Sequence, residues 1–246
     1  MDEFKIEGRN AVIELLKSGR PINKIFLQKG ERQGSINEII KLAKKNHVVF
    51  SEVEKSKLDT LSNTKHHQGV IAFVAATEYK EIDDVFALAA ERGEDPFILI
   101  ADEIEDPHNL GALIRTAECA GCHGVIISKR RAVGVTEVVA KTSVGATEYV
   151  PIVRANNINE AIRELKDRGV WVVGTDGSAK TLYYDQDMTG PIAIIIGSEG
   201  RGMSDLTMKN SDFLVKIPMM GKITSLNASV SGGIVVFEAL RQRLKK

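Results

Sequence analysis

The sequence predicts an α/β fold: a mostly parallel sheet covered by helices on both faces, preceded by a smaller α/β domain. Three observations carry that expectation. Apolar runs of strand length recur along the second half, among them Phe97-Ile98-Leu99-Ile100-Ala101 and Ile192-Ala193-Ile194-Ile195-Ile196. Runs without polar alternation belong to strands buried on both faces, as parallel sheets require. Helical periodicities lie between the runs and supply the crossovers of such a sheet. Polar loops follow three of the strands, at 102–109, 197–204 and 218–229. Ligands of open parallel sheets sit outside the carboxyl ends of the strands, so these loops mark the second half as catalytic.

Length and composition agree with this reading. The chain of 246 residues has room for one large domain or two small ones, and its 43% apolar content is that of a globular protein. No apolar run reaches the roughly 18–20 residues that cross a bilayer, so no membrane partner is expected. Two cysteines in this length fit a reducing compartment. The acidic start, Met1-Asp2-Glu3-Phe4, has no signal-peptide pattern, and a cytoplasmic location is expected. The net charge of zero hides an asymmetry: residues 1–77 hold 13 Lys and Arg against 9 Asp and Glu, a net of +4, which the remainder balances at −4. A mildly basic N-terminal part is compatible with a polyanionic partner.

The elements follow in order. Residues 9–18 read as a short amphipathic helix ended by Gly19, 24–28 as a strand, and 35–46 as a capped helix with Ile36, Ile39, Ile40 and Ala43 on one face. A strand at 48–50, a short helix at 54–61 and an apolar strand at 69–75 complete a first domain over 1–76. Its loop Ser62-Asn63-Thr64-Lys65-His66-His67-Gln68-Gly69 is read either as an RNA-contacting loop or as a solvated one. Adjacent histidines rarely converge on one metal ion, and no metal is expected. Residues 77–95 read as a linker holding a helix at 82–90 and closing on Gly93-Glu94-Asp95-Pro96. In the second domain, 96–246, strands are expected at 97–101, 124–127, 149–153, 170–174, 192–196 and 213–217. Helices are expected at 109–120, 136–142, 158–168 and 226–244.

Each polar loop carries candidate chemistry. In the first, Asn109 and Arg115 stand six apart, on different faces of a regular helix at about 100° per residue. They share a site only if Asn109 lies in the turn before the helix. Arg115 sits among apolar residues and must be ion-paired, for instance with an acidic residue at 102–106, or aimed at an anion. The second loop, Gly197-Ser198-Glu199-Gly200-Arg201-Gly202, has neither dinucleotide nor P-loop spacing, and Glu199 would repel a pyrophosphate. An adenosine-like ligand without phosphates suits it, and S-adenosylmethionine fits that description. The third loop offers Ser225, Asn227 and Ser229, which can satisfy a ligand's donors and acceptors without adding charge. The same residues suit the N-cap of the last helix, and one residue can do both. Cys119-Ala120-Gly121-Cys122-His123 has the spacing of c-type haem attachment, but it sits where a helix meets a strand, and core packing is expected of it.

Together the segments Asn109 through Ala117, Ile195 through Gly202, and Ile217-Pro218-Met219 through Ser225-Leu226-Asn227-Ala228-Ser229 resemble the three motifs of the SpoU (TrmH-like) branch of the SPOUT RNA ribose 2′-O-methyltransferases, in order and over roughly 96–246. The first 75 residues resemble the small L30e-like substrate-binding domain of the RlmB-type members, which methylate a guanosine ribose in 23S rRNA. The resemblance implies a SPOUT domain with a deep trefoil knot near the C-terminus, an exception to the usual absence of knots. It implies S-adenosylmethionine bound at Gly197, Ile217 and Leu226, and a homodimer in which Arg115 acts on the partner's site. It places Asn109, Arg115, Glu199, Ser225 and Asn227 on catalytic or site-forming positions. Two other readings remain: ribose methylation of a tRNA guanosine, and a non-catalytic RNA-binding protein of the same fold.

Overall fold

The computed structural model describes residues 4–30, 34–62 and 64–245. The chain forms two compact units, one made of Met1–Glu78 with Gly134–Val138, the other of Tyr79–Val133 with Val139–Lys246.

The first unit runs β1 (Lys5–Glu7), α1 (Arg9–Lys17), β2 (Ile22–Gln28), α2 (Ser35–Lys45), β3 (Phe50–Val53), α3 (Lys55–Leu61) and β4 (Val70–Val74). Its sheet has the order β1-β4-β2-β3, with β2 and β3 parallel and the other pairs antiparallel. β4 is buried throughout because its two faces meet different layers. Val70, Ala72 and Val74 pack with Val12, Leu15, Ile36 and Ile39 of α1 and α2. Ile71 and Phe73, which point the other way by strand alternation, pack with Leu58 of α3. Three expectations need correction. α2 begins after Gly34 with no side-chain cap. The strand foreseen at 48–50 is Phe50–Val53. In the loop at 62–69, His67 is turned inward: its Nε2 lies 2.9 Å from Asp59 Oδ1 and its Nδ1 accepts from the Gly69 N–H at 3.0 Å. Asn63 lies outside the described residues.

The second unit runs α4 (Ile82–Arg92), β5 (Phe97–Ala101), α5 (Pro107–Cys119), β6 (Gly124–Ser128), α6 (Glu137–Thr142), a 3-10 turn (Ala146–Glu148), β7 (Ile152–Ala155), α7 (Ile158–Asp167), β8 (Trp171–Thr175), β9 (Thr181–Leu182), β10 (Ile192–Ile196), α8 (Asp205–Asn210), β11 (Phe213–Lys216) and α9 (Ala228–Arg243). The seven strands lie in the order β7-β6-β5-β10-β8-β11-β9, and every pairing is parallel. On one face Ile98, Ile100, Ile126, Val172, Ala193 and Ile195 meet Ile82 and Val85 of α4 and Ile162 and Leu165 of α7. α4, foreseen inside a linker, is therefore a core layer of this unit. Charge covers only its exposed face, while Ile82, Val85 and Ala89 are buried. On the other face α5 and α9 cross closely: a Cβ added to Gly232 of α9 would collide with the Leu113 side chain.

The cysteines divide. Cys122 is buried as foreseen, and desolvation pushes its thiol well above the ordinary range. Cys119 is exposed on the last turn of α5, contrary to the core-packing expectation. His123 is fully buried, accepts from the Phe97 N–H at 3.0 Å and lies 3.1 Å from Glu94 Oε2. Burial lowers its affinity for a second proton. No helix of the described residues is long and apolar enough to cross a membrane.

Because the sheet is parallel, the loops after β5, β6, β7, β8, β10 and β11 all emerge on one edge.

Candidate active site

At that edge lies a cavity of about 930 Å³. β8, β10 and β11 end in it through Thr175, Ile196 and Val215, and the loops after them supply the walls. The turn after β10 is drawn tight by paired bonds, Gly202 N–H to Ser198 O at 2.9 Å and Ser198 N–H to Gly202 O at 3.2 Å. Gly197 has to be glycine there, because an added Cβ would stand 2.5 Å from the backbone nitrogen of Met203. Gly197, Ile217 and Leu226, the expected cofactor residues, all line this cavity, as do Glu199, Ser225 and Asn227. The lining also includes Thr175, Asp176 and Gly177, which sequence reasoning missed. The available signal was a polar triplet directly after an apolar strand, without a motif around it.

A second cleft of about 260 Å³ adjoins the first through Ser198 and Glu199 and is lined by Glu103, Ile104, Glu105, Asp106, Asn109 and Arg201 as well. Asn109 faces it from a helix start and Glu199 from the loop after β10. α5 begins with Asp106 as N-cap, accepting from the His108 N–H at 2.7 Å, and Pro107 fits the first helical position. This puts Asn109 in the first turn of the helix, only 6% exposed. Asn227 is the N-cap of α9, its Oδ1 accepting from the N–H groups of Ser229 at 2.9 Å and Val230 at 3.3 Å. The two asparagines meet over Glu199. Asn109 Nδ2 donates to Glu199 Oε1 at 2.8 Å, Asn227 Nδ2 donates to the same oxygen at 2.7 Å and to Asn109 Oδ1 at 2.9 Å, and the Ala228 N–H approaches Oε1 at 3.4 Å. One carboxylate oxygen thus ties two helix starts to the loop after β10, and Glu199 lines both clefts.

Behind the cluster lies a buried carboxylate, Asp102. Ser128 Oγ donates to it at 3.2 Å and Thr207 Oγ1 at 3.1 Å, while the Glu103 N–H donates to Ser128 Oγ at 3.1 Å. Desolvation, the largest influence, raises its pKa above the ordinary 3.8. These bonds fix the loop after β5 against β6 and α8.

Arg115 is the one predicted residue the fold sets apart. Six residues beyond Asn109 on the same helix, it lies about 120° round the axis, is exposed, and forms no ion pair or hydrogen bond among the described residues. The expected pairing with an acidic residue at 102–106 does not occur; Glu103 instead meets Arg131 at 3.5 Å. Asn109 is also inside the helix, not in the turn before it, so the two residues do not share a site within one chain.

Residues 96–237 match the SpoU rRNA Methylase family, and residues 5–80 match the family described as RNA 2′-O ribose methyltransferase substrate binding. The chain belongs to the SpoU family. It is an RNA 2′-O-methyltransferase by that membership. It is 50% identical over 236 residues to Bacillus subtilis YacO, a protein assigned by name to the TrmH family of tRNA/rRNA methyltransferases; the match covers 96% of this chain and 94% of YacO. Among solved structures, the AdoMet-bound rRNA methyltransferase of Sinorhizobium meliloti is 26% identical, with a TM-score of 0.59 over 97% of this chain and 87% of that one. The TrmH/SpoU tRNA modifying enzyme of A. aeolicus is 29% identical, with a TM-score of 0.57 over 62% of this chain and 77% of that one.

Proposed function

We propose that this SpoU-family enzyme transfers a methyl group from S-adenosylmethionine to the ribose 2′-hydroxyl of a guanosine in 23S rRNA, as an RlmB-type member. The observation that carries the chemistry is the Asn109–Glu199–Asn227 cluster standing between two adjoining clefts. The larger cleft fits the cofactor. Its volume suits an adenosyl amino acid, its glycine turn lets the backbone approach a ligand closely, and its lining is mostly neutral polar and aliphatic. The choice of rRNA over tRNA rests on the extent of the likeness. The rRNA methyltransferase aligns over both units and the tRNA enzyme over 62% of the chain.

Gly197, Ile217 and Leu226 would hold the cofactor's adenosyl part, and Asp176 can bind its hydroxyls or its cationic end. When bound, the cofactor supplies a methyl already activated by a positive sulfur. The protein's task is then alignment and relief of a proton, and alignment alone can be worth on the order of 7–11 kcal/mol. Asn109, Asn227 and Ser225 position the ribose and the loops around it. Glu199 orients these loops through Oε1 and leaves Oε2 to accept the proton that the ribose hydroxyl loses. A guanidinium keeps its own proton in proteins, so Arg115 serves as a cation. It holds the adjacent phosphate or stabilises the developing alkoxide. Its position away from the cluster favours action across a homodimer. In this reading residues 1–76 present the RNA, 96–246 carry the methyl transfer, the stretch from β10 to α9 is threaded as a trefoil knot, and the enzyme works in the cytoplasm without a metal.

Tritiated S-adenosylmethionine incubated with undermodified 23S rRNA and, in parallel, undermodified tRNA tests the proposal. Label recovered as 2′-O-methylguanosine from 23S rRNA is the expected result. Label in tRNA alone would keep the chemistry and overturn the substrate, and failure to bind the cofactor in calorimetry would sink the enzymatic reading.

A further inference from the structure

The cofactor cavity occupies the β10, β8 and β11 side of the carboxyl edge. The other side carries a dense set of cations that the chemistry above does not use. Lys129, Arg130 and Arg131 follow β6 directly, and Arg154 stands in β7, in the register where Ile127 pairs with Arg154 and Ser128 with Ala155. Neighbouring strands lie about 4.8 Å apart, so the set begins one strand from β5, whose following loop and helix carry Glu103 and Asn109.

These cations crowd one another. Lys129 is partly desolvated beside Arg154 and Arg130, and the three lower its hold on its proton. Lys129 and Arg130 have no ion pair or hydrogen bond through their side chains among the described residues. Arg154 lies over the Tyr79 ring, its guanidinium carbon 5.3 Å from the ring centre. Arg131 reaches Glu103 at 3.5 Å, and both residues hold left-handed backbone, φ 52° and 54°. Non-glycine residues adopt that conformation at a cost, and such positions concentrate where a ligand is gripped. Through Glu103 the set borders the small cleft that Asn109 and Glu199 share.

We infer that Lys129, Arg130 and Arg131, backed by the half-buried Arg154, form a phosphate-binding strip that carries the RNA backbone flanking the target nucleotide past the end of β6, toward the small cleft. Phosphodiesters are the anions that come in a row, and a row of cations on one edge matches them; the strip supplies register and affinity, not base choice. The inference rests on the RNA-methyltransferase reading and assigns it a direction: cofactor from one flank of the sheet edge, polynucleotide from the other, with the reacting atoms meeting between β5 and β10.

The test uses the full-length chain, unmodified 23S rRNA as probe, and filter binding across 50–300 mM salt. Removing two phosphate contacts in Lys129→Ala/Arg130→Ala should flatten the slope of log K against log salt by about 1.4. At 0.1 M salt affinity should fall about 25-fold, at roughly 0.7 log units per contact. KM for RNA should rise in step, with cofactor affinity by calorimetry and kcat at saturating RNA unchanged. Arg163→Glu, an exposed cation on α7, controls for net charge and should alter affinity little. A double variant within twofold of wild type with the same slope overturns the strip. So does loss equal to that of Arg163→Glu, or wild-type protein that binds no RNA. A wild type that binds RNA salt-dependently yet transfers no methyl would sink the enzymatic reading while the strip is still scored by binding.

Discussion

Asn227 does two jobs that substitution can separate. Its Oδ1 caps α9, and its Nδ2 donates to Glu199 Oε1 at 2.7 Å and Asn109 Oδ1 at 2.9 Å. Asn227→Ala removes both. Loss of a cap costs about 1 kcal/mol, and in a chain of this length each kcal/mol moves Tm by roughly 2–4 °C. Asn227→Ser keeps a good capping oxygen but replaces the two-donor amide with one shorter hydroxyl donor that cannot serve both Glu199 and Asn109, so its Tm should stay within about 1 °C of wild type. Its activity should not. A hydrogen bond to a charged group is worth about 1.5–3 kcal/mol, and the lower end applies because Asn227 is exposed. At about 1.4 kcal/mol per factor of ten, kcat/KM should fall some tenfold or more as Glu199 loses one of three donors. Asn227→Asp should keep the cap too, and lose more activity by facing Glu199 with a second carboxylate. Thermal melts and methyl-transfer kinetics on the three variants decide the matter. Full activity in Asn227→Ser would refute the orienting role, and equal melting of the serine and alanine variants would refute the cap.

Three more expectations follow from distances already given. Gly197→Ala places a Cβ 2.5 Å from Met203 N and 2.8 Å from Gly202 O, about 1 Å inside ordinary contact; since both are backbone atoms, overpacking of about 1–3 kcal/mol and at least a tenfold weaker cofactor Kd should appear in melting and calorimetry. Arg115→Ala, at an exposed position without a partner in its own chain, should leave Tm within a degree or so yet abolish transfer. Arg115→Lys retains measurable transfer if charge alone matters and none if a forked contact is needed. Asp102 has a folded-state pKa above its ordinary 3.8, so the protonated folded form is favoured; that stabilisation is complete below the ordinary value and lost as pH rises through the raised one. Wild-type Tm should therefore fall relative to Asp102→Asn as pH climbs from about 4 toward neutrality, and parallel curves would contradict the desolvation argument.

How much of this was legible depended on what each segment had to reveal. β5 and β10 were plain because strands buried on both faces must be continuously apolar. β1 and β9, of three and two residues, carry no such pattern, and α8 has only six residues between a glycine turn and a strand. α4 looked like a linker because charge dominates its exposed face, although Ile82, Val85 and Ala89 had helical spacing. The start of α5 was readable in Asp106-Pro107, a cap followed by a first-turn proline, but the helix was begun at Asn109. Either start puts Asn109 inside the helix, on a different face from Arg115. Thr175, Asp176 and Gly177 could be placed only by the strand order: β8 lies beside β10 and β11 in the sheet, and its loop opens into the same cavity.

The site also follows from the direction of the sheet. All seven strands run one way, so α5, entered from the end of β5, starts at the carboxyl edge. α9 follows β11 and starts there too. Helix N-termini carry partial positive charge and unsatisfied N–H groups. Glu199 stands between the two starts, bonded to the third residue of one helix, and to the cap and first residue of the other. An acidic side chain in the middle of a ligand loop would ordinarily be costly there, and these two helix ends offset that cost. The same geometry explains why the cluster needs asparagine at both positions. Asn109 must donate to Glu199 while accepting from Asn227, and Asn227 must donate to both while accepting from its own helix. A carboxylate at either position has no donor, and an alcohol in place of Asn227 has one donor where two are needed, so either change opens the closure of three loops on one oxygen.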